Sequence, residues 1–296
     1  MINKSSVKVP RQSVACAKHG AVLGIDVGWS RRKPTSGLCL IEWTNGVISQ
    51  RSCEAAFNED DRRKKLDGLT QRRKLLAVGI DGPLSPGSEI TRQYRSVEAL
   101  LSRGSFQRRG KPGPTNSKSG QRLHTEATRW ARLVLDTQDI SAATYPYKIH
   151  DKAIIEAFPN AFLAVLHPDE GFPPTAKANR RWTDTLFPLV KEELWKLLET
   201  LLPHQKPSFR YSDIHGHEEI ASFLCALTSL CAVFARCIAV GDTSLGYIVL
   251  PPLELWGASA RGRTKWAKET LHDNYVSVRH LFSGVRFYKD NKLWTP

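Results

Sequence analysis

The sequence predicts an α/β fold that opens with an antiparallel meander of three strands. Three observations carry this. Asn45-Gly46 lies between two apolar runs, a strong hairpin signal. Three short apolar runs each stop on an acidic residue, Asp26, Asp81 and Glu156, as buried strands do where they emerge from a sheet. Residues 183–202 and 220–240 carry apolar side chains with helical spacing or continuity. Strands joined first by short turns and later by helices make a mixed α/β order, not a strict βαβ alternation.

The elements follow in order. Ala21 to Ile25 is the first strand, Ser36 to Trp43 the second, and Val47 to Cys53 the third. Asn58 to Lys74 is strongly charged and predicts a surface helix ending near Gly68. Leu75 to Ile80 is a fourth strand, stopping at Asp81-Gly82-Pro83. Residues 85–150 read as an insertion with a helix over Thr91–Leu101, a Gly/Pro/Ser-rich loop over Gly104–Gly120 and a helix through His124–Leu135. Ala153 to Ile155 leads into Glu156 as a fifth strand, and Ala161 to Leu166 starts a helix. His217-Glu218-Glu219 opens the apolar helix 220–240, and Gly246 to Leu250 is a late strand.

The chain's 296 residues suggest one or two domains, long enough to bury a full core without disulfides. The expected organisation is a basic flexible tail over 1–20, a domain over 21–256, and a basic extension over 257–296. Hydrophobic residues at 41% and charged residues at 24% fit a globular protein and exclude a disordered one. Lys and Arg total 43 against 29 Asp and Glu, and this net charge of +14 favours nucleic acid as partner, ahead of an acidic membrane surface. The uncharged run Ile220–Ala235 is too short to span a bilayer. No signal-peptide pattern opens the chain. The cysteines at 16, 39, 53, 225, 231 and 237 form no CxxC pair, and three of them fall in the predicted apolar helix. A reducing, cytoplasmic setting is the expectation.

An acid at the tip of a buried strand is costly unless paired, hydrogen-bonded or bound to a cation. Several such tips in one sheet gather carboxylates at one edge, an oxygen-rich set suited to Mg²⁺ or Mn²⁺ and to phosphodiester hydrolysis. The alternative for each acid taken alone is a loop or helix cap.

The motifs GIDVG before a hairpin, IDGPLS, the Arg95/Glu98 pair, IIEAFPNAFL, HEEIASFLCALTS and GDTSLGYIVLPP stand in an order that resembles a family of predicted nucleases with an RNase H-like fold. That family is catalogued as domain of unknown function 429, and the resemblance covers about residues 21–256. It implies parallel strands after the meander and a metal site of Asp26, Asp81 and Glu156. It further implies an acid on the last core helix, where the family's inner aspartate falls on Ala221. Glu218, about one turn earlier on that face, is the substitute, and Glu219 faces roughly 100° away.

The resemblance makes Arg95 a phosphate contact, while its spacing to Glu98 also fits a plain helix pair. Arg108, Arg109, Lys111 and Lys118 either track a phosphate backbone or decorate a solvated loop. His217 either orients a ligand or is structural. Trp130, Trp182 and Trp256 either stack on bases or pack. The expected function is Mg²⁺-dependent hydrolysis of DNA or RNA, in isolation or within a larger complex. The alternatives are a non-catalytic nucleic-acid-binding subunit and, because Arg31, Arg32 and Lys33 follow GIDVG, a small-molecule phosphotransferase.

Overall fold

The hairpin forms where its turn residues permit. β1 (Gly20–Asp26) pairs antiparallel with β2 (Ser36–Thr44), and β2 with β3 (Val47–Ala55). Asn45 and Gly46, at φ 51° and 84°, make the tight turn whose twist matches the strands. This computed structural model describes residues 18–85, 87, 94–172, 182–260, 262 and 264–296.

α1 (Glu59–Thr70) runs through Gly68 and ends at Gln71, a residue in left-handed conformation, instead of breaking at the glycine. Asn58 caps it by accepting from the Asp61 N–H at 2.8 Å. β4 (Ala77–Asp81) lies parallel to β1. α2 (Ser96–Leu101) starts later than the helix expected from Thr91, because Arg95 is extended and forms its N-cap; residues 91–93 lie outside the described set. The expected loop 104–120 holds a 3₁₀ turn over Gly104–Arg108 and the first turn of α3 (Lys118–Thr137). β5 (Ile154–Ala157) continues parallel to β4, and α4 (Pro159–Leu166) follows.

Two expectations need correction. Residues 183–202 form α5 (Trp182–Leu186), a 3₁₀ turn over Phe187–Val190 and α6 (Lys191–Leu201), because Pro188 lacks the N–H that a continuous helix needs. After the short β6 (Lys206–Pro207) comes α7 (His217–Val233), which stops well before residue 240. Ala235 takes a left-handed φ of 51°. Arg236 N–H donates to Cys231 O at 2.9 Å and Ala235 N–H to Ala232 O at 3.1 Å, the two bonds of a Schellman cap. Cys237 therefore lies outside the helix, and Ile238–Asp242 is a strand, β7, antiparallel to β8 (Gly246–Leu250).

The basic C-terminal stretch is not a loose tail. It forms α8 (Trp266–Val278), β9 (Arg286–Lys289) and β10 (Lys292–Trp294), and β9 pairs with β7. The described strands make one mixed sheet ordered β10-β9-β7-β8-β5-β4-β1-β2-β3-β6, flanked by helices. Among the described residues no helix is long and apolar enough to cross a membrane. The larger core cluster packs α7 on the meander and β4; a second gathers α2, α4, α8, β7 and β8.

Candidate active site

α7 lies against the sheet because three glycines clear its path. A Cβ on Gly24 would sit 2.0 Å from Ser222 O, one on Gly79 2.3 Å from Cys225 O, and one on Gly37 2.1 Å from Glu218 O. Gly24 and Gly79 are register partners in β1 and β4, and Gly37 pairs with Asp26 in β2. The small residues of α7 fit this glycine track at backbone contact distance. Its first turn, carrying His217 and Glu218, is thereby set beside the ends of β1 and β2.

Side chains alternate faces along a strand. Asp26 and Asp81, two residues beyond Gly24 and Gly79, therefore share the α7 face and are themselves register partners. Their carboxyls stand close enough for each to act on the other's titration, Asp81 raising Asp26 and Asp26 lowering Asp81. Burial raises Asp26 well above the carboxylate range, with Asp81 and then Glu218 adding to the effect. Burial likewise pushes Asp81 up to about 7; Asp26 opposes it and Glu156 adds to it. Glu218, half-buried, lines a cavity of about 290 Å³ with Asp26, His217 and Thr35. Glu219 is engaged elsewhere, accepting from Ser52 Oγ and, at 2.9 Å, from His215 N–H.

Glu156 departs from the expected set. Its register partner is Ile80, so its side chain leaves the strand on the face opposite Asp26 and Asp81, although at the strand ends it and Asp81 still line one cavity. There Arg95 grips it through both terminal nitrogens, at 2.5 Å and 2.8 Å, and Leu84 N–H donates at 3.2 Å. Arg95 Nε also donates to Glu98 at 2.8 Å, and Glu98 accepts from Thr115 N–H at 3.0 Å and from the Thr115 hydroxyl. Burial would depress Arg95, but Glu156 and Glu98 outweigh it and hold the guanidinium charged. Burial raises Glu156, and Arg95 opposes that rise. Arg95 is 1% exposed, so it is no surface phosphate contact but the counter-ion of two buried acids.

The other basic candidates separate by exposure. Arg109 forms an ion pair with Asp169 and stacks over Phe172 and Trp266 at 4.6 Å and 4.5 Å, which makes it a packing residue. Arg108, Lys111 and Lys118 are exposed. Arg31, Arg32 and Lys33 are exposed around a cleft of about 320 Å³ that shares Ser30 with the Asp26 cavity. His217 Nδ1 stands 3.7 Å from Asp184. Trp130 and Trp256 are buried, donating to Ser36 Oγ and Pro251 O, so they pack and do not stack on ligand. The Trp182 side chain lies outside the described set.

Sequence reasoning passed over Trp29. It is half-buried and lines both the Asp26 cavity and a second one, of about 210 Å³, that contains Asp81, Arg95 and Glu156. The signal was available: a tryptophan in a Gly/Ser/Arg loop directly after a strand-end aspartate has no apolar periodicity to bury it. Asp242 offers the contrast of a structural acid. At the end of β7 it accepts from Ser244 and Leu245 N–H, from Ser244 Oγ and from Ser96 Oγ, a satisfied turn carboxylate.

Among the described residues no three His, Cys, Asp or Glu side chains converge to hold a metal ion. Of the expected four carboxylates, Asp26 and Asp81 stand side by side, Glu218 lines the Asp26 cavity and Glu156 is held by Arg95. A Mg²⁺ that keeps several waters needs only one or two protein carboxylates. Asp26 and Asp81 fit that role, since two neighbouring carboxyls with raised pKa mark a charge excess that a cation relieves. Scans against protein-family models, curated proteins and solved structures find no match to this chain.

Proposed function

We propose that this chain is a divalent-cation-dependent nuclease of RNase H-like architecture, acting through one cation held by Asp26 and Asp81. The observation that carries the reading is the pair of register-matched aspartates, Asp26 buried and Asp81 half-buried, at the ends of adjacent parallel strands. An antiparallel meander followed by parallel strands, the order the resemblance implies, supports the fold part of the reading. A bound Mg²⁺ or Mn²⁺ would acidify a water and offset charge on the leaving oxygen. Asp26 and Asp81 supply the negative charge that retains it. Glu218, facing the same cavity, accepts a proton or orients water. Arg95 offsets one of the two negative charges of Glu156 and Glu98, which lessens their repulsion of the substrate phosphate. The exposed Arg31, Arg32 and Lys33 offer the phosphate backbone a path away from the pair.

The engagement of Glu156 by Arg95 also favours a second reading, a non-catalytic nucleic-acid-binding subunit. One assay separates the two. Purified protein with Mg²⁺ or Mn²⁺ is expected to cleave labelled oligonucleotides, and Asp26→Asn to abolish cleavage while leaving the melting transition in place. Binding without cleavage by the unmodified protein selects the second reading. No binding even at low salt removes both and leaves the phosphotransferase.

A further inference from the structure

Resting on the nuclease reading, we infer that the cavity beside Asp81 is a pocket for one unpaired nucleobase, with Trp29 as its stacking wall. The cavity holds about 210 Å³, below the roughly 300–1,000 Å³ of a drug-sized ligand site, so it admits one ring system. Its walls are flat or apolar: Trp29, Pro83, Leu123 and Phe158. Its floor is the Arg95–Glu98–Glu156 network, in which each side chain is 3% exposed or less. A carboxylate oxygen carries two lone-pair sites; Glu98 fills all four of its sites with Arg95 and Thr115, while Glu156 Oε1 accepts only from Arg95 and retains one site for the N–H edge of a base.

Position selects the ligand class. Asp81 belongs both to this cavity and to the aspartate pair, and Trp29 separates it from the Asp26 cavity while lining both. A ring seated here is therefore joined to a phosphate within about one nucleotide of the cation site. Arg122 is exposed, lies 5.9 Å from the Trp29 ring and donates to Trp29 O at 3.1 Å, which fixes the loop and adds a cation at the rim. A base inside a duplex is stacked on both faces and cannot enter; a single strand offers it without the cost of flipping. The pocket thus makes the chain selective for single-stranded or locally unpaired nucleic acid.

The experiment is equilibrium binding of the full chain, with Ca²⁺ present, to three labelled ligands: a short single strand, its blunt duplex, and the same strand with every base replaced by an abasic residue. The single strand is expected to bind at least roughly tenfold more tightly than either of the others. Trp29→Ala should weaken single-strand binding by about 10- to 100-fold, the range for loss of one stacked base, and Trp29→Phe should retain most of it. Equal affinity for the based and abasic strands, or an Ala variant that binds like the parent, overturns the inference. The abasic comparison needs no variant, so it decides the matter even if Trp29→Ala does not fold. Cleavage does not enter this readout. Lost selectivity with Mn²⁺-dependent cleavage intact removes the pocket alone, and intact selectivity without cleavage removes the hydrolytic reading alone.

Discussion

Replacing Arg95 by Met should be among the most damaging single changes to this fold. Met approximates the length of the arginine stem but removes every donor. Glu156 and Glu98, at 2% and 1% side-chain exposure, then lose the partner that offsets their burial. Removing one member of a buried ion network costs about 3–5 kcal/mol, because the remaining charge is left uncompensated. Against a typical total of about 5–15 kcal/mol for a domain, that is from about a fifth to all of the stability. The pH dependence identifies the cause. Burial already raises Glu156, and Arg95 is the main group opposing it, ahead of the Leu84 N–H, so without Arg95 the folded-state pKa climbs further. A carboxyl whose folded pKa is raised is most stabilising when protonated, and that contribution fades as pH rises through the folded value. The deficit of Arg95→Met should therefore be greatest near neutrality and shrink toward pH 5, and adding Glu156→Gln should recover part of it. Urea unfolding of both variants at several pH values measures this. A deficit below about 1 kcal/mol, or one that does not vary with pH, would refute the counter-ion role.

Other outcomes follow from the same geometry. Cation binding must displace protons held by the raised carboxyls of Asp26 and Asp81, so affinity for Mn²⁺ should fall as pH drops, and more steeply once Asp81 also protonates below about 7, read by calorimetry. Without a cation the raised Asp81 stabilises the fold most below its ordinary pKa of 3.8, and that contribution is lost as pH rises to about 7; thermal melts with and without Mn²⁺ should converge at low pH and separate at high pH. Gly24→Ala drives a Cβ to 2.0 Å from a backbone oxygen of α7, so a loss of about 1–3 kcal/mol or more is expected, and a loss under about 0.5 kcal/mol in urea unfolding would contradict the packing. Oligonucleotide affinity should fall with log[salt] at a slope of roughly −4 or steeper, and neutralising Arg31, Arg32 and Lys33 together should flatten it by about 2.

Much of the sheet was legible because its signals are local. Asn45-Gly46 announced the hairpin, and the acidic stops located the ends of β1, β4 and β5. The failures share a cause: structure decided by contacts distant in sequence or by a residue outside its usual type. α7 ends on Ala235 in a conformation normally taken by Gly, so nothing in the apolar run 220–240 separated helix from strand. Asp290-Asn291, both at positive φ, turn a hairpin within what read as a basic tail. For the site, the residue types at Asp26, Asp81 and Glu218 were readable, but the face taken by Glu156 depends on a one-residue register against β4 that no local pattern encodes. The pairing of Arg95 with Glu98 was readable from their spacing, but its second partner, Glu156, lies 61 residues away and left no local signal. Trp130 carried its own correction, since Leu133 and Val134 continue its apolar face along α3.

The account's central claim is one cation on the aspartate pair, with Glu156 withheld by Arg95. Anomalous scattering from a crystal soaked in Mn²⁺ tests it most directly. A single Mn²⁺ bound by Asp26 and Asp81, with Glu156 still on Arg95, is the predicted result. No ion at the pair, or a second ion on Glu156 with Arg95 displaced, would contradict it.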